Sequence, residues 1–351
     1  MTHFPLRLRI QADALVANWR WLAAKGGAGA CGAAVKADGY GLGAVETVRR
    51  LAEAGCRDFF VATWAEAEAL MPWPANLSLA VLHGVGPQDA PSVSASPARP
   101  VLNTPAQIAR WREWGDGGPC DLMVDTGMNR LGVTREEAQA AIEGGLVVDT
   151  LMSHLACADE PEHVMNRTQL SRFIELRQRL PARRYSLANS AGICLGSDYG
   201  FDLTRPGLAL YGGVPVPDNA EQSAAIRQVA FVEAQVVQVR DVPEGSSVGY
   251  GATYVAPSPR RAAILNIGYA DGFLRALGPG EQALVGESRF PVIGRVSMDL
   301  MAVDVTDAPE PVVEGQWLEL DYHLPELARR SGLSQYELLT SLGQRFERRW
   351  T

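Results

Sequence analysis

At 351 residues, with 47% apolar and 21% charged side chains, the chain can bury one large core and a smaller second one. A net charge of −8 without any basic block argues against a nucleic-acid surface, and no apolar run approaches membrane-spanning length. The opening MTHFPLRLRI lacks the apolar stretch of a signal peptide, so a cytoplasmic protein is expected. Cys31, Cys56, Cys120, Cys157 and Cys194 are scattered without a CxxC pair, so neither a disulfide framework nor a metal site is expected.

Leu6, Leu8 and Ile10 alternate with Arg7, Arg9 and Gln11, the period of a half-buried strand. Asp13 reads as the N-cap of a helix carrying Leu15, Trp19 and Leu22 on one face. An apolar run over 31–35 reads as a buried strand that stops at Lys36, before a glycine-rich turn. Strands are then expected over 58–62, 77–82, 99–102, 121–125, 147–153, 184–188 and 201–204. Helices are expected over 46–54, 66–71, 105–114, 136–142 and 164–180, with 87–100 a loop. Eight strands alternating with helices imply parallel βα units and a (β/α)₈ barrel of about 190 residues, with a doubly wound sheet as the rival.

From about residue 222 the pattern becomes mostly β, with strands over 229–239, 248–255 and 262–267 and a hairpin-rich stretch over 282–305. Helices follow over 325–330 and 335–342, and Arg345, Arg348 and Arg349 read as a solvated helix end or tail. The expected division is a barrel domain over 1–221, with 4–11 open to packing against the second domain, and a β domain over 222–351.

The distinctive residues fall after predicted strands, the side on which barrel enzymes place their sites. Lys36 follows strand one, Leu82 ends strand three, and VDTGMNRLG with Arg130 follows strand five. His154 follows strand six, Asn189 and Ser190 follow strand seven, and Arg205 and Gly207 follow strand eight. An amine buried at a strand end has a lowered pKa and can form a Schiff base with an aldehyde. Ser190 and the backbone at 191–192 and 207–208 suit an anion cradle made by the last two strand-to-helix loops, where glycine lets N–H groups come close.

AVKADGYGLG resembles the pyridoxal-phosphate (PLP) lysine motif of alanine racemases, AVVKANAYGHG in its common form. VDTGMNRLG, SHLACADE, LANSAG, TRPGLALYGG, VGYGATY, IGYADGFLR and IGRVSMDLMAVDV are similar to further motifs of that family, in its order, so the resemblance covers nearly the whole chain. It implies that Lys36 holds PLP and is the acid/base on one face of the substrate. Tyr250, in VGYGATY, would be the base on the other face, reaching in from the partner subunit of a head-to-tail homodimer. Racemisation needs one base per face, and a free phenol titrates near ~10, so a tyrosine base requires cationic or hydrogen-bonding neighbours. The family draws these from its counterparts of His154 and Arg205.

The same carry-over puts Tyr40, Asn189, Ser190, Gly207 and Leu208 around the cofactor phosphate and Leu82 along the cofactor. Arg205 would meet the pyridine nitrogen, and Arg130 the phenolic oxygen and the substrate carboxylate. Tyr269, Met298 and Asp299 would line the substrate pocket. Two positions depart from the common pattern: Met123 stands where many members carry a carbamylated lysine, and Gln344 where many place a phosphate-binding tyrosine. The alternatives are a broader or serine-type racemase, a decarboxylase of the same fold, which would not be expected to carry GYGATY, and a non-catalytic PLP-binding protein.

Overall fold

The structure, a computed structural model, describes residues 4–115, 117–278, 280, 282–285 and 288–351. It divides into two compact units, Leu15–Arg227 and, separately, the described residues up to Ala14 together with Gln228–Thr351.

In the first unit seven parallel strands lie side by side in chain order: Ala33–Ala34, Asp58–Val61, Ser78–Val81, Arg99–Leu102, Cys120–Met123, Val148–Met152 and Arg184–Ser186. An eighth, Leu203–Thr204, pairs with Ala30–Cys31. It is tied to the seventh strand by the N–H groups of Asp202 to the Tyr185 carbonyl (3.0 Å) and of Arg205 to that of Ala188 (2.9 Å). On its other side Gly32 and Ala34 donate to the carbonyls of Thr204 (2.9 Å) and Pro206 (2.8 Å), so the round of eight closes into the expected barrel. Strands such as Asp58–Val61 and Val148–Met152 are buried along their whole length, as strands covered on both faces must be.

The first strand is broken into two pieces at Gly32. A Cβ there would stand 2.8 Å from the Asp58 carbonyl oxygen, a closeness of neighbouring chains that only glycine allows. The first helix runs Ala12–Lys25, so Asp13 lies within its first turn and does not cap it; Leu15, Trp19 and Leu22 are buried as the periodicity requires. The segment expected as a loop over 87–100 contains the helix Ala90–Ala95, with Pro91 at a position in the first turn that needs no N–H donor.

The second unit is built on an eight-stranded sheet in which Leu6–Ile10 lies between Ala230–Val242, antiparallel, and Glu347–Trp350, parallel. Arg348 and Arg349, expected in a helix end or tail, are therefore strand residues. The expected strand over 248–255 is a hairpin, Ser247–Val248 with Tyr254–Val255, carrying a 3₁₀ turn at Tyr250–Ala252. Gly249 and Gly251 flank Tyr250 at φ 78° and 72°, a conformation incompatible with extended backbone.

Candidate active site

Lys36 stands where the first strand stops, and the five residues after it, Ala37 to Gly41, all take left-handed φ, from 51° to 84°. Three of them are not glycine, and each such residue costs about 1 kcal/mol or more. The turn is held by carboxylates: Asp38 Oδ1 accepts from the Ala44 N–H (2.8 Å), and Glu66 Oε1 from that of Ala37 (2.8 Å). Burial lowers the Lys36 pKa and Arg130 lowers it further, while Glu66 opposes them.

His154, after the sixth strand, is pushed down to about 3, first by burial and then by the charges of Arg205, Arg130 and Lys36. Its imidazole is neutral at physiological pH. Arg205 is buried and its guanidinium donates to the Ser153 carbonyl (2.5 Å) and to Ser186 Oγ, neutral acceptors both. Desolvation brings it down to about 10.

Arg130 is exposed, and its side chain makes no hydrogen bond or ion pair among the described residues. The loop bearing it is tied down at its start: the Asp125 carboxylate accepts three backbone N–H groups, from Gly127, Met128 and Asn129, at 2.8–2.9 Å. Met123, in the preceding strand, is buried.

The groups expected to cradle an anion lie together across the last two loops. Ser190 Oγ accepts from the N–H groups of Gly207 (2.9 Å) and Ala209 (3.2 Å). A Cβ on Gly207 would fall 2.1 Å from the Tyr40 hydroxyl, so the glycine, Ser190 and that hydroxyl form one cluster around buried Leu208. Tyr40 stacks on Tyr211 at 4.6 Å, and Tyr211 donates to the Ala34 carbonyl (2.9 Å), which links the cradle to the strand that carries Lys36. Asn189 caps the short helix Ser190–Cys194 by accepting from the Gly192 N–H (2.8 Å). Half-buried Leu82 extends the third strand with a bond to the Val61 carbonyl (2.9 Å).

The barrel unit thus brings together Lys36, Tyr40, Arg130, His154, Ser190, Arg205 and Gly207. One amine of lowered basicity, two guanidiniums, a neutral imidazole and a serine set among backbone N–H groups fit a phosphorylated aldehyde. Among the described residues no cluster could hold a metal ion. Burial pushes the Cys31 and Cys120 thiols up to about 12, which removes them as nucleophiles.

Tyr250, Tyr269, Met298, Asp299 and Gln344 belong to the other unit. Tyr250 and Met298 are 68% and 54% exposed. Tyr269 and Ala270 donate to the carbonyls of Ser297 (3.1 Å) and Met298 (3.0 Å), joining the GYADG and SMD segments. Arg345 locks that junction with two bonds to buried Asp271 (2.6 and 2.8 Å) and one to Asp299 (2.8 Å). Sequence reasoning assigned Arg345 to a solvated end and gave no role to Glu66, although T-W-A-E shows a helix start with its acid three residues on. It also passed over a plain count: the chain has two lysines, Lys25 and Lys36, and Lys25 is paired with Glu221 at 2.6 Å.

The alanine racemase N-terminal domain model matches residues 10–215 and the alanine racemase C-terminal domain model matches 229–350. The alanine racemase of Methylobacterium nodulans is 42% identical over 360 residues, 98% of this chain and 95% of that one. The biosynthetic alanine racemase of Agrobacterium fabrum is 40% identical over 99% of this chain and 94% of its own. Among solved structures, the Bartonella henselae alanine racemase, with covalently bound pyridoxal phosphate, superposes with a TM-score of 0.90 at 36% identity, covering 100% of both chains.

Proposed function

The chain belongs to the alanine racemase family, and on that premise we propose that it interconverts L- and D-alanine by a two-base reaction, with Lys36 and Tyr250 on opposite faces of the substrate. The observation that carries this reading is the lone amine of lowered basicity at the barrel mouth, set among cations and beside an anion cradle. PLP is the cofactor, and when bound it supplies the electron sink for the pair left behind as the α-proton departs.

The chain's own residues do the rest. Ser190, Gly207, Leu208 and Tyr40 receive the phosphate, with Asn189 shaping the turn and Leu82 lining the ring. Arg205 would donate to the pyridine nitrogen; a guanidinium has no acceptor and holds its proton, so it would offer that nitrogen a hydrogen bond and no charge. Arg130 meets the phenolic oxygen and the substrate carboxylate. His154, neutral, takes part in hydrogen bonding between Arg205 and the tyrosine base.

Lys36 Nζ takes or returns the α-proton on one face. Tyr250 Oη does so on the other, because a single base would hand the proton back to the side it left. Tyr250 is supplied by a second copy of the chain, and Tyr269, Met298 and Asp299 close the pocket around a small side chain. The working form is a cytoplasmic homodimer.

Tyr250→Phe tests this. The variant should exchange the α-proton of one alanine enantiomer in D₂O about 10²-fold faster than that of the other, with racemisation lost. Equal slowing of both exchanges would make Tyr250 structural. A panel of amino acids separates alanine from serine-type specificity, and a yellow protein inactive on the whole panel would mark a PLP carrier.

A further inference from the structure

We propose that Glu66 is a positioning residue for Lys36, its carboxylate joining the ends of the first two barrel strands so that the amine is presented in one fixed place. The proposal rests on the reading of Lys36 as the cofactor lysine. Glu66 sits at the third position of the helix Trp64–Ala69, where Thr63 already caps the helix by accepting from the Glu66 N–H (3.3 Å). Its two oxygens go elsewhere: Oε2 accepts from the Ala62 N–H (2.7 Å) at the end of the second strand, and Oε1 from the Ala37 N–H (2.8 Å) directly after Lys36.

A helix cap would take the Thr63 N–H, and neither of these bonds does. The second falls on the opening residue of the left-handed run, where non-glycine backbone needs an outside partner to stay. The charged groups acting on Lys36 are Arg130 and Glu66, with His154 close by and neutral, so Glu66 is the one anion among them. It favours the protonated amine, which the acid half of a proton-transfer cycle requires.

Glu66→Gln keeps the shape and one acceptor but removes the charge, and sets an NH₂ against one N–H; Glu66→Ala removes both bonds. With PLP loaded, amide exchange across 36–43 should rise about 10-fold or more in both variants, while that of Cys120–Met123 stays as it was. Because the chain has two lysines, ¹⁵Nζ-lysine labelling gives two resonances. The pH midpoint of Lys36 should fall in Glu66→Gln, with Lys25 unmoved. Turnover should drop about 10- to 100-fold in kcat, with KM for alanine little changed.

Unchanged exchange over 36–43 with an unmoved Lys36 midpoint would overturn the proposal and leave Lys36 as the cofactor lysine. A borohydride-reduced adduct on Lys25 in the unaltered enzyme would overturn both readings.

Discussion

The two ends of the barrel are charged in opposite styles. At the N-terminal ends of the strands Asp58, Asp121 and Asp149 are buried among Arg99, Arg183 and Arg184. Asp149 meets Arg183 at 2.7 Å and both Arg99 and Arg184 at 3.2 Å, and Asp58 meets Arg184 at 2.8 Å. Every acid there has a guanidinium. At the C-terminal ends Lys36, Arg130 and Arg205 stand together, and the carboxylates nearby, Glu66 and Asp125, are given over to backbone N–H groups. Charge completed within the chain serves folding; charge left incomplete is open to a ligand, on the proposed reading a phosphate and a substrate carboxylate.

Breaking the complete end should therefore cost the most stability. Asp149→Ala takes the ion-pair partner from Arg183 and one of two from Arg184 and Arg99, which keep Asp58 and Asp121, and urea unfolding should show a loss of about 2–3 kcal/mol, with activity of the folded fraction retained. Burial alone would raise the Asp149 pKa, but the hydrogen bond to Arg183 and the charges of Arg99, Arg184 and Arg183 together outweigh it and hold the carboxyl down at about 2. With the folded pKa below the unfolded one, its stabilisation is present above about pH 4 and lost as pH falls toward 2, so Asp149→Asn should flatten that acid limb. Asp121 is pushed by burial up to about 6 and has the opposite sign, its ionisation eroding stability as pH rises from about 4 to 6. Asp121→Asn should remove that decline.

At the incomplete end the pattern reverses. Arg130→Met should leave stability within about 0.5 kcal/mol, since no partner is stranded, yet raise KM for alanine about 10- to 100-fold. If it destabilised as much as Asp149→Ala, the contrast between the two ends would fail. The smallest effect is a null one. Met123 has no amine to carbamylate, so activity in CO₂-stripped buffer should not change on adding bicarbonate; a bicarbonate-dependent rate would implicate a carbamate on Lys25, the only other lysine.

Much of this was legible in the sequence because barrel strands and their terminal residues are local. An apolar run that stops at Lys36, or a few residues before Arg130 and His154, announces the element and the end of it on which these side chains fall. What escaped depends on distant partners. Glu347–Trp350 has three charged residues in four and becomes a strand only beside Leu6–Ile10, more than three hundred residues earlier. Glu66 and Arg345 looked like ordinary surface charges, and their roles appear only once Ala37 and Asp271 are brought to them. The break at Gly32 likewise follows from how closely Asp58 approaches it.

The central claim, that the incomplete end is a PLP site built on Lys36, is tested most directly by borohydride reduction of the PLP-loaded protein followed by peptide mapping. The account predicts a single reduced pyridoxyl group on Lys36, with Lys25 unmodified. A pyridoxyl group on Lys25, or none on either lysine, would contradict it.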